Sequence, residues 1–590
     1  MRNLHLLGLT LLATAGPVLA RGQVTVFQGA PGQPGAVLAY DESSGALVAS
    51  PAELGAAELL PIEAAGRTAL EEFLPGKPRR IEDVGGASRL ALPDQQGSLY
   101  HYARGPAGAR VFGYFVVTRA GMPRVLVERA GIGAGTAQDP FLDRVAVAPD
   151  GRALLCATRA EAGGDLLEVR FGADPIEVVD RTAGAPPLRL SARGLALTAT
   201  HAWALSGRGL LRCARTPTAT TQLVSFGTEP APTHFQGDLV TSARGTAVAF
   251  HAGASALLLH AWTVTNDGIA RRASTAAGPH ASAGLSPQSV DGPYLAVSDD
   301  GTWCAWRTDG VPSHECLVAR AAAPVGELPE VLSSDARFLD TLDEVAVFFF
   351  RGPTQLLFAV GEQGVPTAAG IEGVDVFRAT LAPGTPPPIE NMTGSSGDLT
   401  LPFTAVPQLK PTRWVLTPDR RSLLLYDEQG SSGRVLAVDT ATGSLVDLIP
   451  AVKSFDWIEL CGRRFAFGLQ RSSGAKLHEV HSILADLTGA PALSYASPET
   501  EPTRAVTSRA DGWVAWLRSV AGGSVLQRAR VPSASVETLG PPGLFESGQG
   551  WTPGDAQAFG TAGSAWVWPV GGGAAHAWPI AGPFQILPGA

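Results

Sequence analysis

A short polar turn followed directly by an apolar strand recurs along most of this 590-residue sequence. In the clearest copies Asp is followed by Gly or Arg, and Asp-Gly readily supplies the positive φ angles that tight hairpin turns require. Polar turns that recur in this way predict many short antiparallel strands. The four clearest turns are Asp150-Gly151, Asp300-Gly301, Asp419-Arg420 and Asp511-Gly512.

Weaker copies of the turn extend the repeat over most of the chain. The anchors lie near residues 94, 150, 193, 244, 300, 343, 419, 463, 511 and 555. Their mean spacing of about 51 residues is close to the length of a four-stranded propeller blade. The alternative is an array of β-sandwich modules, which would repeat about every 100 residues, and the sequence has no such period. The fold predicted is therefore all-β, a β-propeller of four-stranded blades.

The blade number is less constrained than the fold. Ten anchors exceed the roughly four to eight blades that propellers usually have. We predict about seven or eight blades, with the other anchors as hairpins inside long blades, and two propellers are the alternative. A seam between two propellers would lie in the Pro-rich stretch 383–411, which could also be a long loop between blades.

The second half of the repeating unit also recurs. Its best copy runs from Val435 through Asp439, Thr442 and Gly443 into another apolar strand. Together with the Asp-Gly turn and the strand after it, this pattern resembles the TolB-type, WD-like β-propeller repeat over residues 86–590. The resemblance implies the same propeller fold. The Asp419-Arg420 turn departs from the Asp-Gly of that repeat.

Residues 1–20 have the layout of a secretory signal peptide. Arg2 precedes an apolar run over residues 6–13, and Val18-Leu19-Ala20 places small residues before a cleavage site after Ala20. The apolar run is too short for a membrane-spanning helix. We expect an exported protein, periplasmic or secreted, with no membrane span after cleavage.

Residues 21–85 differ from the propeller repeats of 86–590. Thr68 to Glu71 form a capping-box pattern that predicts a short helix through Phe73. Residues 37–40 and 46–49 have strand patterns. The segment is either a small N-terminal appendage or the source of a strand that closes the ring.

The charge balance narrows the class of partner. The chain has 54 acidic and 45 basic residues, a formal net charge of −9. Without a basic stripe it lacks the electrostatic means of holding a phosphate backbone, so nucleic acid is not expected as a partner. Propellers gather variable loops on one face, which suits a protein, peptide or glycan ligand.

The five cysteines are too scattered for a disulfide framework or a CxxC metal site. Cys304 and Cys316 lie symmetrically about a polar turn at Gly310. An antiparallel hairpin can bring two such residues face to face, within reach of a disulfide. We predict a disulfide between Cys304 and Cys316, with two buried, reduced thiols as the alternative.

No motif in the sequence identifies a reaction. The G-x-S-x-G nucleophile elbow is absent, which excludes a prolyl-oligopeptidase-type hydrolase. His478 and His481 lie on a predicted strand at a spacing that points them to opposite faces, so they cannot share a metal. No metal ligand and no cofactor is predicted, and catalytic residues stay unknown.

Two functional hypotheses follow. The first is an exported, non-catalytic propeller that acts as a binding or scaffold module for a protein, peptide or glycan through its loop face. The alternative is a propeller enzyme of the lyase, lactonase or cyclase type, with His, Asp or Glu side chains at the central channel.

Overall fold

The computed structural model is 65% strand and 2% helix, which confirms the all-β prediction. No helix in the described part of the chain is long and apolar enough to cross a membrane. The predicted signal peptide and the predicted helix at 68–73 lie outside the described residues. The structure describes residues 25–587 apart from 31–32, 42–45, 50–53, 66–79, 83–87, 93–96, 119–122, 134, 173, 184–187, 217–218, 220, 243, 256–257, 266–267, 274–294, 308–315, 322–329, 333–343, 363–372, 393–413, 417–421, 430–431, 462, 473, 475–477, 485, 498–502, 509–511, 521–522, 544, 552–555, 562 and 570–575.

These residues form 46 strands. The first half of the chain contains β1 (Thr25–Gln28), β2 (Gly35–Asp41), β3 (Ala46–Ala49), β4 (Ala56–Leu60), β5 (Glu63–Ala64), β6 (Arg80–Glu82), β7 (Ser88–Ala91), β8 (Gly97–Arg104), β9 (Val111–Thr118), β10 (Pro123–Ala130), β11 (Arg144–Val147), β12 (Ala153–Ala157), β13 (Leu166–Arg170), β14 (Glu177–Asp180), β15 (Leu190–Leu197), β16 (His201–Ser206), β17 (Gly209–Ala214), β18 (Gln222–Leu223), β19 (His234–Thr241), β20 (Ala247–Ser255), β21 (Leu258–Thr265) and β22 (Ala270–Arg272).

The second half contains β23 (Leu295–Val297), β24 (Trp303–Arg307), β25 (Cys316–Arg320), β26 (Glu330–Val331), β27 (Glu344–Arg351), β28 (Gln355–Glu362), β29 (Gly373–Thr380), β30 (Ile389–Asn391), β31 (Trp414–Leu416), β32 (Ser422–Gln429), β33 (Ser432–Asp439), β34 (Leu445–Cys461), β35 (Arg464–Arg471), β36 (His478–Leu484), β37 (Ala492–Ser497), β38 (Thr503–Ser508), β39 (Trp513–Val520), β40 (Gly523–Arg530), β41 (Val536–Gly543), β42 (Phe545–Trp551), β43 (Ala556–Thr561), β44 (Ser564–Pro569), β45 (His576–Pro579) and β46 (Phe584–Leu587).

Most strands form sheets of four that run in chain order with antiparallel neighbours. Such sheets are β15–β18, β19–β22, β23–β26, β27–β30, β38–β41 and β42–β45. Another sheet adds the parallel strand β5 to the antiparallel strands β11–β14. The fold is a β-propeller of four-stranded sheets, as the repeat spacing predicts. The number of blades stays a prediction.

One long strand joins two four-stranded units. β34 has 17 residues, and its first half pairs with β33 while its second half pairs with β35. The backbone changes direction at Ala451, whose φ is 54°. As a result β31–β37 form one seven-stranded sheet, in which the last strand of one unit continues as the first strand of the next.

The two ends of the described chain meet in one sheet. β1 pairs with β46 in antiparallel register, with Val26 opposite Ile586. On its other edge β1 pairs with β2, and the sheet continues through β4 to β8, β9 and β10. The strand patterns at 37–40 and 46–49 are confirmed as β2 and β3. The strand that reaches the C-terminal strand is β1, which precedes both.

Successive sheets pack against one another through apolar clusters. Cys304 and Trp306 of β24, for example, pack with Val240, Ala247 and Ala249 of the preceding sheet. The first strand of each of these sheets also contacts the first strand of the next sheet. β11 contacts β15, β15 contacts β19, and the series continues through β23 to β27. Likewise β34 contacts β38, then β42 and β46. Because β46 pairs with β1, the sheets close into a ring.

The recurrent turns hold neighbouring sheets together. Gly301 has a φ of 78°, and a Cβ there would lie 2.7 Å from Cβ of Ala247 in the preceding sheet. The Thr246 hydroxyl donates to the carbonyl oxygen of Asp300 at 2.7 Å. The backbone N–H of Gly352 donates to the Asp299 carboxylate at 3.0 Å. Glycine is needed at Gly301 both for its φ and because the next turn lies so close.

An arginine–glutamate pair bridges neighbouring sheets at three places. In each, an Arg on the third strand lies opposite a Glu on the fourth: Arg170 and Glu177, Arg378 and Glu390, Arg528 and Glu537. The guanidinium binds that Glu and also donates to a backbone carbonyl of the next sheet. The carbonyl acceptors are Arg215 at 2.8 Å, Thr440 at 2.8 Å and Trp568 at 2.8 Å.

A buried carboxylate strengthens the first of these bridges. Glu168 has a fully buried side chain and accepts hydrogen bonds from Arg170, Arg181 and Arg215 at 2.8–2.9 Å. Burial alone would raise the pKa of Glu168, but the three guanidiniums outweigh it and lower the pKa. The carboxylate is therefore ionised and fully paired, and it joins β13 to the sheet that follows.

Two predicted boundaries fall inside sheets. Residue 86 lies outside the described residues, and the strands on either side of it, β6 and β7, pair with each other. Residues 383–388, the start of the proposed seam, connect β29 to β30 of a single sheet, and a bridge joins Ala382 to Thr385 there. Proline suits such a turn because it lacks the N–H that a ladder needs. Residues 393–411 lie outside the described residues.

The Arg528 bridge should contribute strongly to stability. Its guanidinium is fully buried and lies 3.6 Å from the ring centroid of Trp568. We expect Arg528→Gln to lower the free energy of unfolding by about 3 kcal/mol, because it leaves Glu537 and a buried carbonyl unpaired. Arg152→Gln, at an exposed position of another sheet, should cost less than about 0.5 kcal/mol. Guanidinium chloride unfolding curves measure both, and equal effects would contradict the bridging role.

Candidate functional site

The turn residues that the sequence singles out are structural. The Asp150 carboxylate accepts the N–H of Arg152 at 3.0 Å, and the Asp300 carboxylate accepts that of Thr302 at 2.9 Å. The glycines Gly151 and Gly512 have φ of 66° and 95°. These contacts close hairpins. The predicted turn residues Asp419 and Asp511 lie outside the described residues.

The predicted disulfide is wrong in this fold. The register of β24 and β25 places Cys304 opposite Ala319 and Cys316 opposite Arg307. The two thiols also belong to different apolar clusters, one on each face of the sheet. The turn at Gly310 is therefore not the symmetric centre of the hairpin. No disulfide joins any of the five cysteines, all of which lie in the described part of the chain.

The absence of a disulfide predicts how many thiols react with a thiol reagent. Burial raises the pKa of Cys156 to about 12 and also raises those of Cys304 and Cys316, so the folded protein should react slowly. Unfolding without a reductant should then expose five reactive thiols per chain. Titration with a chromogenic disulfide reagent measures the number, and a value of three would restore the bridge.

The described histidines are spread over five sheets, with His234, His251 and His260 in the sheet β19–β22 and His478 and His481 on β36. Those in described strands are His101, His201, His234, His251, His260, His478, His481 and His576, while His280 and His314 lie outside the described residues. His481 binds the Glu479 carboxylate at 2.7 Å, so these two share a face and alternation puts His478 on the other. Within the described residues, no group of three His, Cys, Asp or Glu side chains has metal-ligand geometry.

One histidine–carboxylate pair is buried between β8 and the segment that leads to β11. His101 Nε2 lies 3.2 Å from an oxygen of Asp139, and its Nδ1 lies 3.3 Å from the carbonyl oxygen of Pro61. The ring stacks on Tyr114 at 4.6 Å between centroids. Burial lowers the pKa of His101 to about 4 and raises that of Asp139 to about 6. Both ring nitrogens face protein atoms, so the pair joins parts of the fold.

The pair makes a specific prediction about pH. Between pH 6.5 and 4 the His101–Asp139 pair binds about one proton in both the folded and the unfolded chain. In the wild type the pair therefore contributes little to the pH dependence of stability. Asp139→Asn leaves His101 with its lowered pKa, so the folded state binds fewer protons than the unfolded one. Stability should then fall, relative to wild type, by about 2–3 kcal/mol as pH falls from 6.5 to 4.

The matched variant has the opposite slope. His101→Gln leaves Asp139 with its raised pKa, so its stability relative to wild type should fall as pH rises from 4 to 6. Unfolding curves at several pH values, with Asp143, Arg110 and Arg159 unchanged nearby, measure both slopes. Parallel curves for the two variants would contradict the lowered pKa of His101 and the raised pKa of Asp139.

A cluster of exposed apolar side chains lies where the third and fourth sheets meet. Leu223 on β18 and Ile269 before β22 are 56% and 38% exposed. Phe226, in the connection from β18 to β19, and Phe235 on β19 are half-buried. We call these four residues, Leu223, Phe226, Phe235 and Ile269, the apolar patch.

Buried aromatic rings hold the apolar patch in place, and Gly209 lies beneath it. A Cβ at Gly209, whose φ is 130°, would lie 3.6 Å from Leu223 Cδ2 and within 4.0 Å of both Phe226 and Phe235. Phe226 contacts the Trp262 ring edge to face at 5.1 Å, and Phe235 stacks on Phe250 at 6.2 Å. The patch is therefore a firm surface on a packed core.

The surface around the apolar patch is positively charged. Residues 181–228 contain six arginines and no Asp or Glu, in a chain whose net charge is −9. Arg189 and Arg208 are exposed, and their backbones meet at the turn between β16 and β17, where the N–H of Gly207 donates to the carbonyl of Arg189 at 2.8 Å. Neither guanidinium pairs with a carboxylate among the described residues. The acid-free run was visible in the sequence, but nothing there linked it to exposed apolar side chains.

The comparisons with known proteins are distant. No protein family and no curated protein matches the sequence. Among solved structures, the chain is similar to a prolyl endopeptidase (12% identity, 69% of this chain and 52% of that chain, TM-score 0.27). It is also similar to TolB from Acinetobacter baumannii (10%, 66% and 77%, TM-score 0.24). A third is a puromycin-hydrolyzing peptidase of Mycobacterium tuberculosis (14%, 82% and 64%, TM-score 0.30). The chain thus spans about half of the endopeptidase and just under two thirds of the peptidase.

Proposed function

We propose that the protein is an exported propeller of the TolB-type repeat class that acts as a binding module, and that the apolar patch is its docking surface. The support for export is the signal-peptide layout of residues 1–20. The support for the repeat class is the turn and strand pattern of residues 86–590.

The observation that carries the proposal is the exposure of the apolar patch. Contiguous exposed apolar side chains mark interaction sites in soluble proteins, whereas isolated ones are ordinary. Val178, Val446 and Leu493 are exposed singly, each on another outer strand. Only at the junction of the third and fourth sheets, within the described residues, do two strongly exposed aliphatic residues adjoin half-buried aromatic rings.

The fold holds the apolar patch in a rigid conformation. Loops and connections on a rigid scaffold make good recognition sites because little order has to be gained on binding. Phe226 lies in a connection, yet its ring is held by Trp262, and Phe235 packs on Phe250. Binding would therefore immobilise few side chains.

Site-specific photo-crosslinking tests the proposal. A photoreactive amino acid replaces Leu223 in one protein and Val446, which is 52% exposed, in a control. Each is incubated with envelope extract of the native host. We expect a discrete adduct from position 223 that disappears when Phe235→Ser is added. Equal adducts from position 446, or an adduct insensitive to Phe235→Ser, would contradict the apolar patch as the docking surface.

The enzyme alternative has two described histidine–carboxylate pairs to use, His101 with Asp139 and His481 with Glu479. His101 and Asp139 form a histidine–carboxylate pair, but His101 is only 4% exposed. An activity found in the protein and lost in His101→Gln, at a pH where the variant is fully folded, would favour that alternative over a binding module.

A further inference from the structure

We infer that the partner of the apolar patch is an acidic protein segment that carries apolar or aromatic anchor residues. The inference rests on the proposed function and deepens it, because it names the chemistry of the occupant. It follows from two independent properties of the surface: its local charge and the kind of apolar groups that it exposes.

The local charge is opposite to that of the whole chain. The run 181–228 carries six arginines and no carboxylate, and two of these, Arg181 and Arg215, are used to pair Glu168 inside the fold. Arg212 is also engaged, by His201 and by the Trp203 ring. Arg189 and Arg208 stay exposed beside the apolar patch. Carboxylates of a partner would pair with these two guanidiniums. Complementary charge both speeds association and disfavours basic partners.

The carboxylate that the structure describes on the other side of the patch is already paired. Glu229 is the nearest carboxylate along the connection from β18 to β19, and it faces Arg272 at 3.4 Å. Glu229 and Arg272 therefore balance each other. Among the side chains that the structure describes, the unbalanced charge next to the apolar patch is that of Arg189 and Arg208; Asp267 and the side chain of Asp238 lie outside that set.

The apolar groups favour a peptide over other anions. Leu223 and Ile269 are aliphatic, and Phe226 stands edge to face on Trp262, so the surface exposes aliphatic groups more than a flat ring for a sugar. Nucleic acid and anionic membranes are held by many cationic contacts, and two exposed arginines on a chain of net charge −9 supply too few. A short acidic segment with a Leu or Phe anchor matches both properties.

Fluorescence anisotropy with synthetic probes tests the inference. The first probe is a labelled peptide of about 15 residues in which Asp and Glu flank one Leu and one Phe. The second replaces every acid by Lys, the third replaces every acid by Asn or Gln, and the fourth replaces Leu and Phe by Ser. We expect the first to bind at least about tenfold more tightly than the other three, and its affinity to fall between 50 mM and 500 mM salt.

Variants of the protein assign the two contributions. Arg189→Gln with Arg208→Gln should weaken binding of the acidic probe about threefold to tenfold and leave the Asn/Gln probe unchanged. Leu223→Ser with Phe235→Ser should weaken both probes. Arg152→Gln, an exposed arginine on another sheet, is the matched control and should change neither.

The outcomes separate the inference from the proposed function. If the Lys or Asn/Gln probe binds as tightly as the acidic one but Leu223→Ser still abolishes binding, the acidic partner is wrong and the docking surface stands. If no probe binds while the crosslink at position 223 forms, the acidic peptide is again wrong. If Leu223→Ser with Phe235→Ser leaves binding of the acidic probe intact, both are wrong. Displacement of the probe by oligonucleotide or by anionic vesicles, but not by unlabelled peptide, would overturn the choice of partner.

Discussion

The antiparallel pairing of β1 with β46 is the constraint on which the rest of the fold depends. Each sheet buries its apolar side chains only against its neighbours, so an open series would leave an exposed apolar face at both ends. Because residues 25–28 pair with residues 584–587, the last sheets pack against the first and every face is covered. The pairing also requires contacts between residues more than 550 positions apart, so it completes the ring only after the intervening sheets exist.

The ring closes only if neighbouring sheets keep a fixed orientation. Two kinds of polar contact between sheets hold that orientation. The turns contact one another through Thr246, Asp299 and Gly301, and arginine–glutamate pairs bridge third strands to the next sheet. Arg170, Arg378 and Arg528 are used in this way. The exposed arginines beside the apolar patch, Arg189 and Arg208, have no such structural partner, which is why that surface differs from the rest and suits recognition.

The sequence predicted the architecture better than the site, for physical reasons. Asp300-Gly301 marks a hairpin because local backbone geometry requires it, so the strands after the turns at 151, 301 and 512 were predictable. The register of Cys304 and Cys316 depends on where the hairpin turns, which the residues of the loop do not fix, so the disulfide was predicted wrongly. The apolar patch combines Leu223 with Ile269, 46 positions later, and only the packing of two sheets brings them together.

A crosslink between the two chain ends tests closure most directly. Gln28 lies opposite Phe584 in the β1–β46 ladder, and the native thiols are buried, so Gln28→Cys with Phe584→Cys should form one disulfide on mild oxidation. The oxidised chain is then cut once by limited proteolysis and run on a denaturing gel without reductant. Closure predicts a single species of full-length mass that separates into two fragments only after reduction. Two fragments without reduction, from folded protein, would contradict the closed ring.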